Sequence, residues 1–318
     1  MRFQRLRRAL LAATCLSSLV LAACGGGGSV VSQFTPARIV AFGDAFSDAG
    51  QRGGVQYSIN DPATLNWTQE IAARYGIGLA PVSAGGSSYA IGSARVTVKP
   101  DAAGDATTPS ITDQVSTFLG TGAPRSTDLV VVNGGTSDIL AEMAAYLAGT
   151  QDAATTTAHV AQAGRDLGAQ ARRLVGAGAT HVLVVGAYNL GRSPWGLGTG
   201  QAAFVESLAS AFNNALLVSI VDLGSTTLYV DAALFFNLVT ANPSIYSLVD
   251  VVSVLCTSVD PGPGIGIGPN QVNSALCNGG TLNGLATSTA LFADPVYFTP
   301  IGQLLFGNYA ADRLRDRF

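Results

Sequence analysis

The chain has 318 residues, 48% of them hydrophobic, with 17 Lys and Arg against 20 Asp and Glu and a net charge of −3. That length can bury a large core. An acidic balance with one lysine, Lys99, excludes the clustered basic surface that nucleic acid requires, and two histidines, His159 and His181, leave too few ligands for a metal site.

The N-terminus reads as an export signal. Arg2, Arg5, Arg7 and Arg8 precede an apolar run from Ala9 to Ala23 that is too short to span a bilayer. It ends Leu21-Ala22-Ala23-Cys24, which is similar to a bacterial lipobox. Cleavage there would leave Cys24 as the first residue, lipidated and attached to the membrane. The competing reading is an ordinary signal peptide cut at an Ala-x-Ala site. Losing residues 1–23 removes four arginines and takes the net charge from −3 to −7. Gly25, in place of Asp, favours the outer membrane of a bacterial envelope by analogy with other lipoproteins. Residues 24–36, with glycines at 25–28, read as a flexible tether, and residues 37–318 as one domain.

Residues 37–42 form an apolar run that stops at Gly43-Asp44, as a buried strand followed by a turn does. A helix is predicted over 65–75, with Trp67, Ile71 and Tyr75 on one face, and a shorter one over 110–119. Residues 128–133 read as a second buried strand, apolar enough for a parallel sheet covered on both faces. Helices follow over 137–148 and 153–175, a third strand over 180–187, a helix over 202–221, a fourth strand over 226–231 and a closing helix over 300–317. Beyond the signal, no stretch is expected to span a membrane. The alternation predicts an α/β domain of three layers, doubly wound on a mostly parallel sheet. The Gly- and Pro-rich stretch 260–281 reads as a surface insertion. Cys256 and Cys277 are expected to bridge it in an oxidising compartment, the alternatives being free thiols or part of a metal site.

Four blocks carry chemistry. Gly43-Asp44-Ala45-Phe46-Ser47-Asp48 follows the first strand. Tyr89 to Arg95 contains Gly92. Val132-Asn133-Gly134-Gly135-Thr136-Ser137-Asp138 follows the second strand. Asp294-Pro295-Val296-Tyr297-Phe298-Thr299-Pro300 opens the last helix. In this order they resemble the SGNH/GDSL ester hydrolases, whose domain is flavodoxin-like. The resemblance implies a serine nucleophile at position 45, a histidine base at 297 and an orienting acid at Asp294. It implies an oxyanion hole from the nucleophile's own N–H, Gly92 and an asparagine at 137.

Three of these positions depart from the pattern. Ala45 has no hydroxyl, Ser137 reaches less far than asparagine, and Tyr297, with a reference pKa of about 10, is a poor base near neutral pH. A single engineered Ser→Ala change would not account for all three. Gly43, Asp44, Gly92, Gly135, Asp138 and Asp294 persist, and each has a structural reason: glycines for tight turns, Asp44 and Asp138 as helix caps, Asp294 as an acceptor for the Tyr297 hydroxyl. Ser47 is expected to cap locally rather than attack. His181, at the amino end of a strand, and His159, inside a helix, are poorly placed to serve as a base. The expectation is a lipid-anchored fold with its chemistry lost, no cofactor, and a cleft that holds an acyl chain, an acylated glycan or an unidentified protein. The alternative is an ester hydrolase acting through unrecognised residues.

Overall fold

A computed structural model describes residues 34–318, so the signal, Cys24 and most of the tether lie outside the described residues. The strand β1 (Arg38–Phe42) begins the domain. Helix α1 (Trp67–Arg74) starts at Asn66, which forms a capping box with Gln69. Helix α2 (Ile111–Thr121) starts in the same way at Ser110 with Asp113. Strand β2 (Asp128–Asn133) is buried at every position. Helix α3 (Thr136–Leu147) follows, then α4 (Ala153–Gly176), capped by Asp152, and strand β3 (Val182–Val185). The short α5 (Pro194–Gly198) and the long α6 (Ala202–Ile220) lead into β4 (Thr227–Val230), and α7 (Ala232–Ala241) follows.

The four strands form one parallel sheet in the order β1-β2-β3-β4, with Ile39 beside Leu129, Val130 beside Val182 and Val184 beside Tyr229. Their apolar runs are continuous because helices cover both faces. Helices α4 and α6 pack against each other on one side. Two glycines of α4 allow their close approach, since a Cβ on Gly164 would lie 2.2 Å from the Phe212 carbonyl oxygen and one on Gly168 1.8 Å from Ser219 Oγ. On the other side α1 packs against the last helix, α8 (Pro300–Arg317), which Thr299 caps.

Two features go beyond the sequence reading. Strands β5 (Asp250–Val254) and β8 (Ala290–Phe292) pair as a small separate parallel sheet, and between them β6 (Val259–Asp260) and β7 (Gln271–Val272) form a minimal hairpin. The Cys256–Cys277 disulfide closes this segment, with the two Cα atoms 5.9 Å apart. The expectation that no mature segment could span a membrane needs correction. By length and composition alone, residues 202–223 qualify. The reason is that α6 is a core helix whose Val205, Leu208, Phe212 and Leu216 are buried in the domain.

Candidate active site

All four blocks meet at the carboxyl edge of the main sheet, where α/β folds place their sites. The first leaves β1 at Gly43 and makes a single tight turn over Ala45–Ser47. Gln114, from α2, holds Gly43 from both sides: its Oε1 accepts from the Gly43 N–H and its Nε2 donates to the Gly43 carbonyl, each at 2.9 Å. Asp44 Oδ1 accepts from the Phe46 N–H and so caps the turn, as expected. Asn133, at the end of β2, satisfies its surroundings when its amide nitrogen faces Asp44 Oδ1 at 3.1 Å and Ser47 Oγ at 2.9 Å and its oxygen accepts from Gly134 N. Trp67 Nε1 also donates to Ser47 Oγ, at 3.2 Å. Ser47 is therefore a buried junction between β2 and α1, held by two donors.

The position that the resemblance implies for the nucleophile is occupied by a methyl group, and Ala45 is only 2% exposed. The Gly92 N–H, the second oxyanion donor in the resemblance, donates to Asp48 Oδ2 at 2.8 Å instead. The other oxygen of Asp48 accepts from Gly50 and Gln51, so this carboxylate ties the second block to the first. The Tyr57 phenol lies against Gly92: a Cβ there would sit 1.9 Å from the Tyr57 hydroxyl oxygen. Glycine persists at 92 because nothing larger fits beside that ring.

The third block turns at Gly135, whose φ of +113° and contact with Phe212 exclude a side chain. Asp138 does not cap α3 as the sequence reading expected. The N-cap is Gly135 and makes no side-chain cap. Asp138 already lies inside the first turn, from which its Oδ2 accepts from the Val96 N–H at 3.0 Å and its Oδ1 faces Arg95. Its role is to join the second and third blocks. Ser137 Oγ is buried and, like Asp44 Oδ2, has no hydrogen-bond partner among the described residues.

Asp294 also departs from expectation. Its Oδ1 accepts from the backbone N–H groups of Val296 and Tyr297, at 2.7 and 2.6 Å, and its Oδ2 accepts from the N–H and hydroxyl of Ser274. It holds the backbone of its own turn and the disulfide-closed segment. The hydrogen bond to the Tyr297 hydroxyl is not made, because all four of these donors are nearer to hand. Tyr297 is 1% exposed, and its ring meets that of Tyr57 at 5.4 Å, edge to face. Behind it Phe298 stacks on Phe236 at 4.0 Å and Phe46 packs on Phe298 at 5.5 Å. The position implied for a base is part of an aromatic core.

Burial governs the electrostatics. It raises Asp44 to about 7, and Asp48, Asp138 and Asp294 each to about 6. It raises the Tyr57 phenol to about 12 and pushes Tyr297 well above its ordinary value, with Asp44 and Asp294 adding repulsion. Neither phenol can act as a base near neutral pH. No imidazole is brought here. His181 stacks on Phe34 at 3.6 Å beside Phe318, by the amino end of β3, and His159 Nδ1 pairs with Glu142 at 2.8 Å on the outer surface of α3 and α4.

Sequence reasoning missed Gln114, Tyr57, Trp67 and Ser274. None belongs to a block. Asn133 lies within one, and the signal that marks it is a polar residue closing an otherwise apolar strand.

Over residues 39–309 the chain matches the family described as GDSL-like Lipase/Acylhydrolase. An uncharacterized protein in the trpE-trpG intergenic region of Pseudomonas putida is 28% identical over 96% of this chain, which spans about half, 52%, of that relative's length. Among solved structures, Est24, a carbohydrate acetylesterase from Sinorhizobium meliloti, is 14% identical, with 88% of this chain and 99% of that one covered and a TM-score of 0.47. Another has 13% identity, coverage of 89% and 98%, and a TM-score of 0.46. The chain belongs to the GDSL-like lipase/acylhydrolase family.

Proposed function

We propose that this member of the family has kept the esterase architecture and lost its hydrolytic chemistry, and that it serves as a lipid-anchored binding or scaffolding protein of the bacterial envelope. The observation that carries this reading is Ala45. Acyl transfer by a serine hydrolase begins with a hydroxyl at that position, and here a buried methyl group takes its place. Removing the nucleophile or the histidine alone costs about a millionfold in turnover in a well-studied serine hydrolase, leaving roughly a thousandfold over water from the oxyanion hole and binding. That remainder shrinks further where the Gly92 N–H is bonded to Asp48 and residue 137 is a serine. Ser47 is no substitute nucleophile, since two donors hold its oxygen and no imidazole adjoins it.

The ligand class that suits such a protein is an acyl chain or an acylated glycan. A depression of about 240 Å3 is lined by Tyr89, Ile91, Val82, Gln51, Gln114 and Thr117. It borders the Gly43 and Gly92 segments and offers a largely apolar wall, since the amides of Gln114 and Gln51 are already bonded to Gly43, Ser83 and Ser88, and an apolar lining suits an acyl chain.

The experiment is hydrolysis of a p-nitrophenyl butyrate panel by the purified protein, against a buffer blank and an active family member. A rate indistinguishable from the blank is expected. An enzymatic rate that survives repurification, with stable fluorophosphonate labelling of a serine, overturns the reading. Anchoring is tested separately by metabolic labelling with a palmitate analogue: the chain is expected to be labelled and the Cys24→Ala variant is not.

A further inference from the structure

The opposite, amino edge of the sheet takes no part in the candidate site. Phe34, the first described residue, stacks on His181 and lies beside Phe318, the last residue of the chain. The neighbouring Arg317 donates to the carbonyl of Gly224, in the turn between α6 and β4. Arg172, near the end of α4, donates to the Ser219 carbonyl at the end of α6 and pairs with Asp222 in the same turn. These contacts join the chain's point of entry, its last residue and the end of α6 in one continuous surface.

Two properties set this surface apart. Val218 and Val221, three residues apart, are 75% and 78% exposed, and Leu217 beside them is 38% exposed. With Thr227 and Tyr229 they line an open apolar groove. Charge gathers at the same edge. The helices run antiparallel to the strands, so their last turns share this end, and those turns hold Arg74 in α1, Arg173 in α4, and Arg315 and Arg317 in α8. A cation at a helix C-terminus is favourable in itself. Asp222, Asp312 and Asp316 lie among these arginines and pair with Arg172, Arg74 and Arg315, so five arginines, Arg172 included, against three aspartates leave this edge a surplus of two positive charges on a chain that is acidic as a whole, at −3. Nine residues separate Cys24 from Phe34, and the ten steps between them span at most about 36 Å when fully extended.

We propose that the amino edge is a membrane-docking face whose occupant is an anionic lipid bilayer. Val218 and Val221 enter the boundary between headgroups and acyl chains, and the arginines at the rim meet lipid phosphates, which their guanidinium forks fit. The proposal rests on the lipid-anchor reading for what brings a bilayer to this edge, and the site at the carboxyl edge then faces away from the membrane.

The test uses the full, lipidated chain with Val221→Cys labelled by an environment-sensitive nitrobenzoxadiazole dye. Cys256 and Cys277 are bonded to each other and do not compete for the label. The control is Val98→Cys, 49% exposed near Arg95 and Asp138 at the carboxyl edge. Each is placed on phosphatidylcholine–phosphatidylglycerol vesicles that contain a headgroup quencher. Emission at 221 is expected to shift to the blue and to be quenched at least about twofold more than at 98, an effect weakened by salt as interfacial electrostatic binding is. Equal quenching at the two positions overturns the proposal. A blue shift at 221 that needs no vesicles and grows with protein concentration assigns the face to a second copy of the chain and also overturns it. Should palmitate labelling fail, the same comparison is read on the Cys24→Ala background, which removes the competing thiol, mixed with vesicles at millimolar lipid. Quenching confined to 221 supports the face without the anchor, and indifference there rejects it.

Discussion

The turn at Gly43–Asp48 and the turn at Asp294–Tyr297 depart from the family's pattern in different ways. The first keeps its frame. Gln114 clamps Gly43, Asn133 and Trp67 hold Ser47, and Asp48 reaches Gly92. Only the reactive hydroxyl is missing, from a residue that contributes one methyl to packing. The second has been rebuilt around its substitution. The Tyr297 ring is buried against Tyr57, and Asp294 is given over to backbone and Ser274. A catalytic serine is small, so its loss leaves the fold almost untouched. A catalytic imidazole has volume, and what replaces it becomes part of the core.

That contrast predicts unequal costs of truncation. Tyr297→Ala removes a fully buried ring and is expected to destabilise the protein by about 3–5 kcal/mol, the usual range for large aromatic deletions, measured by urea unfolding. Ala45→Gly at the other turn should cost about 1 kcal/mol. If the two are equal, Tyr297 is not packed as described and the difference between the turns disappears.

The carboxylates of both turns, together with Asp138 in the first turn of α3, predict the pH dependence. Asp44 at about 7 and Asp48, Asp138 and Asp294 at about 6 all lie above the unfolded value. The folded state therefore binds protons more tightly than the unfolded chain. Stability is lowest above about pH 7 and rises as pH falls through the folded values toward about 4, each group contributing up to about 1.4 kcal/mol per pH unit while only the folded form is protonated. Melting temperature is expected to rise from pH 8 to pH 5. Asp44→Asn should raise stability at pH 8 and flatten that slope. A profile with its maximum at pH 8 would mean that these carboxylates are better solvated than their burial implies.

Within the first turn, Ser47→Ala removes the acceptor of Trp67 and the partner of Asn133. A cost of about 1–3 kcal/mol is expected for leaving buried donors unmade, with no change in the blank-level rate. A loss of real activity on this substitution would make Ser47 a nucleophile after all.

Much of this was legible in the sequence because it is local. Continuous apolar runs at 39–42 and 129–132 identify strands of a covered parallel sheet, and Asn66, Ser110, Asp152 and Thr299 mark helix starts within two residues of those predicted. The four blocks located the site, since each is a strand end and the residues just after it. What escaped is long-range. Gln114 reads as a polar position on a helix, Tyr57 lies in an unpatterned loop and Ser274 in a Gly-rich insertion, and their partners are 71, 35 and 20 residues away. The small β5–β8 sheet was missed because its strands are brief and one carries exposed Val252.

The smallest effect is expected from the experiment that looks most decisive. Ala45→Ser with Tyr297→His restores both side chains of the family's pattern, and the first turn is framed to accept the serine. The second is not. A histidine at 297 would need Asp294 to orient it, and both oxygens of that carboxylate are already engaged, one by backbone and one by Ser274. The Gly92 N–H would still point at Asp48, beneath Tyr57. The double variant is therefore expected to hydrolyse p-nitrophenyl butyrate no faster than a few times the blank, well short of the roughly millionfold that a working triad contributes. Adding Ser274→Ala removes the hydroxyl donor from Asp294 Oδ2 and leaves only the backbone N–H of residue 274 there, and adding Ser137→Asn returns an oxyanion donor. If activity appears only when these are combined, the loss is spread across the second turn and the oxyanion hole. If the double variant alone is active, the two turns differ far less than their hydrogen bonds indicate, and the site was one step from function throughout.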